Sequence, residues 1–237
     1  MENKIVAMIP ARMGSTRFKK KNLALINGKP MIYYAVEAAK KAEIFDRIVI
    51  NSEDEAFDNV AKRYGVDFYL REFELGNSQA KSDDVVANFM QNNSCTHTAW
   101  VNSVSPLQSG EEIKNIVQHF LNENLDSLIT TIEEKVHCLY DGKPLNFSFD
   151  DQFAQTQDLK PIERFVYSVM MWKNNSFLKD YKDRGVAMMC GKFGTYNVDK
   201  LSGIIVKTQR DFEICQLILE NAERGEFSLK YDTEAKE

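Results

Sequence analysis

From residue 4 to residue 132 the sequence alternates short β-prone runs with segments of helical periodicity, and few folds accommodate that rhythm. Residues 4–9 (KIVAMI) form a continuous β-prone run. A helix is expected over 30–41, with Pro30 suited to its first position and Ile32, Ala35, Val36 and Ala39 on one face. Residues 47–50 read as the second strand, after which Ser52 and Glu55 offer a capping box for a helix through Tyr64. Further strands are expected at 66–70, 98–102 and 128–132. Between them lie helices at 83–91 and after a second capping box, Ser109 with Glu112. Short connections between strand and helix mean crossovers, hence parallel strands covered on both faces. The expected fold is α/β, a doubly wound, mostly parallel sheet.

The rhythm breaks after residue 132. Residues 133–173 are aromatic-rich and irregular, with one strand-like run at 165–172 (FVYSVMMW). Such a segment is expected to be an insertion, a lid or an oligomer contact; a hairpin packed on its own domain is the plainer reading. A helix at 176–182, a strand at 186–190 and a helix at 209–224 follow. The expected division is a core at 1–132, a β-rich insertion at 133–173, and completion of the core with a C-terminal helix at 174–237.

Composition excludes several classes of function. A length of 237 residues suits one domain with a modest appendage, and a net charge of −5 disfavours a general nucleic-acid binder. Residues 5–10 are too short an apolar run for a signal sequence or a membrane span, and no later stretch approaches the roughly 18 apolar residues a span needs. Cys95, Cys138, Cys190 and Cys215 lack metal-site spacing and are expected as buried or incidental thiols in a cytoplasmic protein. His97, His119 and His137 show no spacing that points to catalysis. The charge is uneven, however: residues 1–30 hold seven Lys or Arg against Glu2, a net of +6, leaving −11 on the other 207.

Five of those cations (Arg12, Arg17, Lys19, Lys20 and Lys21) fall within ten residues of the loop that leaves the first strand. In open α/β sheets the ligand crevice lies beyond the carboxyl ends of the strands. This loop is neither a GxGxxG fingerprint nor a P-loop, but it offers Gly14, the hydroxyls of Ser15 and Thr16, and cations of two geometries. Arg holds phosphate oxygens in bidentate fashion and Lys neutralises as a point charge. The loop therefore suits several phosphates, with a solvated basic loop as the alternative.

Ile9-Pro10-Ala11-Arg12-Met13-Gly14-Ser15, Lys21-Asn22-Leu23 and Asn27-Gly28-Lys29-Pro30 resemble the N-terminal signature of the CMP-sugar synthetases, the acylneuraminate cytidylyltransferases and their Kdo-activating relatives. Arg71, Ser82-Asp83-Asp84-Val85-Val86 and Ser105-Pro106-Leu107 continue the likeness, which returns weakly at Gln157-Asp158-Leu159 and at Thr208–Phe212. The resemblance implies a nucleotidyltransferase of Rossmann-like architecture whose β-rich insertion makes a homodimer. Its implied partners are CTP and a 2-keto sugar acid, with no nucleic acid and no membrane, and its implied cofactor is Mg²⁺ carried on CTP. It implies that Ala11, Arg12, Gly14, Ser15, Lys21 and Asn22 hold the triphosphate and ribose, and that Arg71 and Ser82 face the cytosine. A surface arginine and a helix cap are the plainer readings of those last two. Asn102, Ser103, Ser105 and Gln157 would meet the sugar acid. Arg12 and Lys21 are the expected catalytic cations.

The pattern fails at the metal. Acylneuraminate members carry an Asp-x-Asp that binds Mg²⁺; here those positions are Ile205 and Lys207. Isoleucine offers no ligand and lysine repels the ion. Three accounts stand. Mg²⁺ rides on CTP alone, Lys207 supplies the positive charge as a third catalytic cation, or the chain binds CTP without turnover. Asp211 could serve as a ligand, but Thr208-x-x-Asp211 also reads as the cap of the last helix. The strand at 165–172 lacks the family's Asn-Gly pair, which points to a different acceptor pocket. A nucleotide-sugar glycosyltransferase is a further reading, lowered by the absence of an Asp-x-Asp after a central strand.

Overall fold

The computed structural model describes residues 3–14 and 18–224. In chain order the elements are β1 (Ile5–Pro10), β2 (Leu25–Ile26), β3 (Lys29–Pro30), α1 (Met31–Lys41), β4 (Arg47–Ser52), α2 (Ala56–Tyr64) and β5 (Asp67–Leu70). They continue as α3 (Ser82–Asn92), β6 (His97–Val101), α4 (Gly110–Asn122), β7 (Ser127–Glu134), β8 (Leu139–Tyr140) and β9 (Lys143–Pro144). The last are β10 (Ile162–Lys173), α5 (Asn174–Arg184), β11 (Phe193–Asn197) and α6 (Gln209–Arg224).

Seven strands form one sheet in the order β11-β7-β10-β6-β1-β4-β5. All neighbours run parallel except β10, which is antiparallel to both β6 and β7. The expected doubly wound, mostly parallel sheet is therefore present. Alternation along β1 explains why its whole run is apolar, since each face of the sheet is covered. Ile5, Ala7 and Ile9 pack with Ile32, Ala35 and Val36 of α1 and Ile113, Ile116 and Phe120 of α4. Val6 and Met8 face the other way, towards Val86 and Phe89 of α3 and Phe177 of α5. A third cluster joins Ile26 and Met31 to Val206, Phe212 and Cys215, seating α6 on the β2–β3 hairpin.

That hairpin turns through Asn27 (φ 48°) and Gly28 (φ 72°), both left-handed, as a two-residue Asn-Gly loop requires. Asp141 and Gly142 do the same between β8 and β9.

Local expectations need correction at four places. Pro30 ends β3 in extended conformation, one position before the helix it was expected to open. The Ser52–Glu55 capping box does not form: Ser52 is the last residue of β4, and Asp54 Oδ1 accepts the Ala56 N–H at 2.9 Å instead. The strand expected at 186–190 is a turn. Ala187 and Cys190 are buried under α3 while Val186 and Met189 are exposed, and Asp83 Oδ1 accepts the N–H groups of Ala187 and Met188 at 2.6 and 3.2 Å. The edge strand is β11, seven residues on, paired with β7. The helix expected at 176–182 extends to Asn174–Arg184. The Ser109 cap forms as expected, its Oγ accepting from the Glu112 N–H at 3.1 Å.

Of residues 133–173, the last twelve form β10 in the interior of the sheet. Its pairing with β7 shifts register between Phe165 and Met170, a bulge in which Tyr167 takes φ 57°. A bulky residue there is an outlier, and such bulges recur beside binding sites.

Candidate active site

β1, β4 and β6 run parallel, so their carboxyl ends open onto one edge of the sheet. A cavity of about 350 Å³ lies there. Ala11, Arg12, Lys21, Asn22, Arg71, Ser82, Asn102 and Ser103 all stand in its wall, beside Leu75, Val85, Trp100 and Val104. Eight of the residues singled out in the sequence are thus brought together from five stretches of chain. A second cavity of about 490 Å³ adjoins it, shares Arg12, Asn77 and Ser78, and adds Gly14, Lys19 and Lys20. Ser15 lies outside the described residues, as do Thr16 and Arg17.

Three remaining expectations fall elsewhere. Ser105 is buried outside both walls, its N–H donating to the Asn102 carbonyl at 3.1 Å. Gln157 is exposed on the 3₁₀ turn Thr156–Asp158, where its amide bonds Gln155 and its carbonyl accepts from Lys135. Lys207 is exposed, but its segment borders the first cavity: Val206 accepts from Lys21 Nζ and donates to the Val104 carbonyl, each at 2.9 Å.

Hydrogen bonds fix the wall from behind. Ser103 Oγ donates to the Pro10 carbonyl at 2.7 Å, tying the end of β6 to the end of β1. Asn22 is buried and donates through Nδ2 to the Arg12 carbonyl at 3.3 Å. Asn102 Nδ2 donates to the carbonyl of Tyr167 at 3.0 Å, so the bulge in β10 sets this residue's amide. Ser82 opens α3 as its first residue, with Lys81 at the cap position, and the helix N-terminus borders the cleft. The acids of that first turn are engaged away from it: Asp83 holds Ala187 and Met188, and Asp84 accepts from the Tyr181 hydroxyl at 2.8 Å.

Arg71 is neither a surface arginine nor a loose cation. Only 5% exposed, it donates to the carbonyls of Asn51 and Ala11 at 2.9 and 3.0 Å and to Glu53 at 2.7 Å. Burial lowers its pKa, an effect that Glu53 opposes and Arg12 reinforces. Glu53 was missed in the sequence because it sits inside the misread Ser52–Glu55 box. Trp100 was missed because it reads as one apolar residue of a strand.

The residues present do not fit a Mg²⁺ site built on protein carboxylates. Among the described residues no carboxylate lines either cavity, and no group of three His, Cys, Asp or Glu is placed to hold a metal. Asp211 is already engaged: its Oδ2 accepts from the N–H groups of Lys207 and Thr208 and from Thr208 Oγ1, at 2.8–2.9 Å. The helix-cap reading of Thr208 and Asp211 holds.

Comparison with known proteins finds relatives in both sequence and fold. The N-acylneuraminate cytidylyltransferase of Escherichia coli is 26% identical over 247 residues, covering 97% of this chain and 55% of that protein. The pseudaminic acid cytidylyltransferase of Campylobacter jejuni is 32% identical over 136 residues, covering 55% of this chain and 59% of that protein. This chain thus spans about half the length of the N-acylneuraminate relatives it matches. A solved CMP:2-keto-3-deoxy-manno-octonic acid synthetase, in complex with CTP, shares the fold with a TM-score of 0.71 at 15% identity, over 93% of this chain and all of that one. The Cytidylyltransferase family model matches residues 6–216. With nearly the whole described chain covered, the protein belongs to the cytidylyltransferase family.

Proposed function

We propose that this chain transfers CMP from CTP to the anomeric hydroxyl of a sialic-acid-like or Kdo-like 2-keto sugar acid, releasing pyrophosphate. The observation that carries the reading is the meeting of Arg12, Lys21 and Asn22 in one cavity at the carboxyl ends of β1 and β6. Arg12 and Lys21 offset the charge of the triphosphate, which grows on the leaving pyrophosphate as the α–β bond breaks. Arg71 and Ser82 border the cytosine side, and Asn102 and Ser103 the acceptor side. The anomeric oxygen forms the new bond to the α-phosphorus and gives up its proton. Family membership supports the nucleotide, and relatives named for N-acylneuraminate and pseudaminic acid support an acidic sugar as acceptor.

In this reading Mg²⁺ travels on the phosphate oxygens of CTP, and Lys207 adds a cation beside them. A homodimer through 133–173 belongs to the proposal, supported by Tyr140, Phe149 and Phe153, which are 77%, 68% and 81% exposed. So does a cytoplasmic setting, in keeping with four thiols that are all free. No described helix is long and apolar enough to cross a membrane.

The test is pyrophosphate release from each nucleoside triphosphate against a panel of 2-keto sugar acids. Release with CTP and one such acid, lost in Arg12→Ala, is the expected result. CTP binding without release against the whole panel would leave a nucleotide-binding protein in its place.

A further inference from the structure

Glu53 and Arg71 form an ion pair whose side chains are 6% and 4% exposed, with Oε2 2.7 Å from Nη2. Both partners also hold the loop after β1. Glu53 Oε1 accepts from the N–H of Met13 at 2.9 Å, and Arg71 Nη2 donates to the carbonyl of Ala11 at 3.0 Å. Those two backbone groups lie on either side of Arg12, whose side chain stands in both cavities. The pair therefore fixes the backbone from which Arg12 projects.

A third segment is keyed to the same carboxylate. Gly76 is buried at the end of the 3₁₀ turn Phe73–Gly76. A Cβ on it would lie 2.3 Å from Glu53 Cγ and Cδ and 2.8 Å from Oε2. Glu53 thus fills the space that any side chain at 76 would need. The turn leads directly into Asn77 and Ser78, which stand in the walls of both cavities. One carboxylate thereby seats the two loops that shape the cleft.

Stability is a weak account of such a pair. Replacing a buried ion pair by apolar residues is often neutral or stabilising, because desolvation offsets much of the attraction. Preorganising a charged loop is a better one, since a binding site works only when its first contacts are held in place from behind.

We propose that Glu53 is a positioning residue for the nucleotide: it builds the Arg12 loop and seats the turn at 73–78 before the ligand arrives. The functional half rests on the CTP reading of the cleft; the latch itself belongs to the free protein. Glu53→Gln removes the charge, and Gly76→Ala pushes the same carboxylate off its seat. Two changes 23 residues apart should therefore give one phenotype, and the double variant should be no worse than the worse single.

The experiment combines amide hydrogen exchange of residues 11–14 with calorimetric CTP binding, on the wild type, both single variants, the double, and Phe120→Leu. The last is a core change in α4, packed against His97 at the amino end of β6 and so at the opposite end of the sheet from the loop, that controls for lost thermal stability. Gly76→Ala keeps both charges and so serves if Glu53→Gln fails to fold. The expected result is Met13 exchange and CTP dissociation constants each raised about tenfold or more in both single variants, with no further loss in the double. Phe120→Leu should bind CTP as the wild type does. Unchanged Met13 exchange in both single variants, or CTP losses that multiply in the double, would overturn the proposal. So would a loss in Phe120→Leu equal to that in Glu53→Gln. A wild type that binds no CTP would instead sink the cytidylyltransferase reading, while the exchange arm would still decide whether the latch exists.

Discussion

The ammonium of Lys21 donates to the carbonyl of Val206 at 2.9 Å, joining the loop after β1 to a segment 185 residues further on. Val206 is fully buried and bonded in turn to Val104, so this contact closes the cleft on the side of α6. Lys21 therefore serves both the wall and the charge of the cleft. Lys21→Ala is expected to lower CTP turnover by about 10²-fold, as loss of one preorganised charge typically does. Its cost in stability should stay near 1 kcal/mol, the ordinary worth of a hydrogen bond. Pyrophosphate release and urea unfolding on the same preparation separate the two. Equal turnover in Lys21→Ala and wild type would remove Lys21 from the proposed chemistry.

Lys207 is the second cation to test. No described carboxylate lines the cleft, so the Mg²⁺ response should be that of an ion carried by CTP. Half-maximal turnover should then move with the CTP concentration at which the titration is run. Lys207→Ala should lower kcat/KM for CTP about tenfold, some 1.4 kcal/mol of lost stabilisation, and steepen the dependence on Mg²⁺. A fixed, sharp Mg²⁺ requirement in the wild type, unchanged in Lys207→Ala, would count against this role.

Thr208 and Asp211 cap α6 reciprocally, Thr208 Oγ1 accepting the Asp211 N–H at 3.3 Å while Asp211 Oδ2 accepts from Thr208. Burial acts to raise the pKa of Asp211. The hydrogen bonds from Lys207 and Thr208, with the charge of Lys207, outweigh it and leave the carboxyl below its ordinary value. A depressed carboxyl contributes stability that is complete above its unfolded pKa and is lost as pH falls through the folded one. Thr208→Ala should cost about 1 kcal/mol at neutral pH, the usual worth of such a cap. The gap between variant and wild type should narrow below about pH 4, where the carboxyl protonates. Denaturant titrations at neutral and acid pH measure both.

The sheet was legible wherever a strand is covered on both faces, as in the unbroken apolar run of β1, and wherever a cap is local, as at Ser109 and Thr208. Strand assignment failed at 186–190 because only Ala187 and Cys190 are buried there, in a turn packed under α3, which hydrophobicity alone does not distinguish from a strand. The cations of the site announced themselves by density in one loop. Glu53 did not, because its meaning lies in Met13, Arg71 and Gly76, which only the fold brings to it. Tyr167 was legible as part of a strand but not as its left-handed bulge, since an aromatic residue carries no sequence signal for positive φ.

His97, far along the chain from the basic loop, should govern the mild-acid stability of the fold. It opens β6, is 6% exposed, contacts Thr96 Oγ1 through Nδ1 at 2.8 Å and meets the edge of the Phe120 ring. Burial lowers its pKa below the ordinary 6.5, and Lys173, its register partner on β10, adds to the effect. The unfolded chain therefore binds the proton first as pH falls, and it alone is stabilised by doing so. Stability should decline as pH drops below about 6.5 and level off once the folded imidazole also protonates. The slope attributable to one such group is at most about 1.4 kcal/mol per pH unit. The depressed carboxyls of Asp126 and Asp211 titrate below this window and do not confuse it. Urea unfolding of wild type and His97→Gln between pH 7.5 and 5.5 provides the test. The variant should start less stable, having lost the packing against Phe120, yet lose less on acidification; parallel losses in the two proteins would show that His97 is not the titrating group.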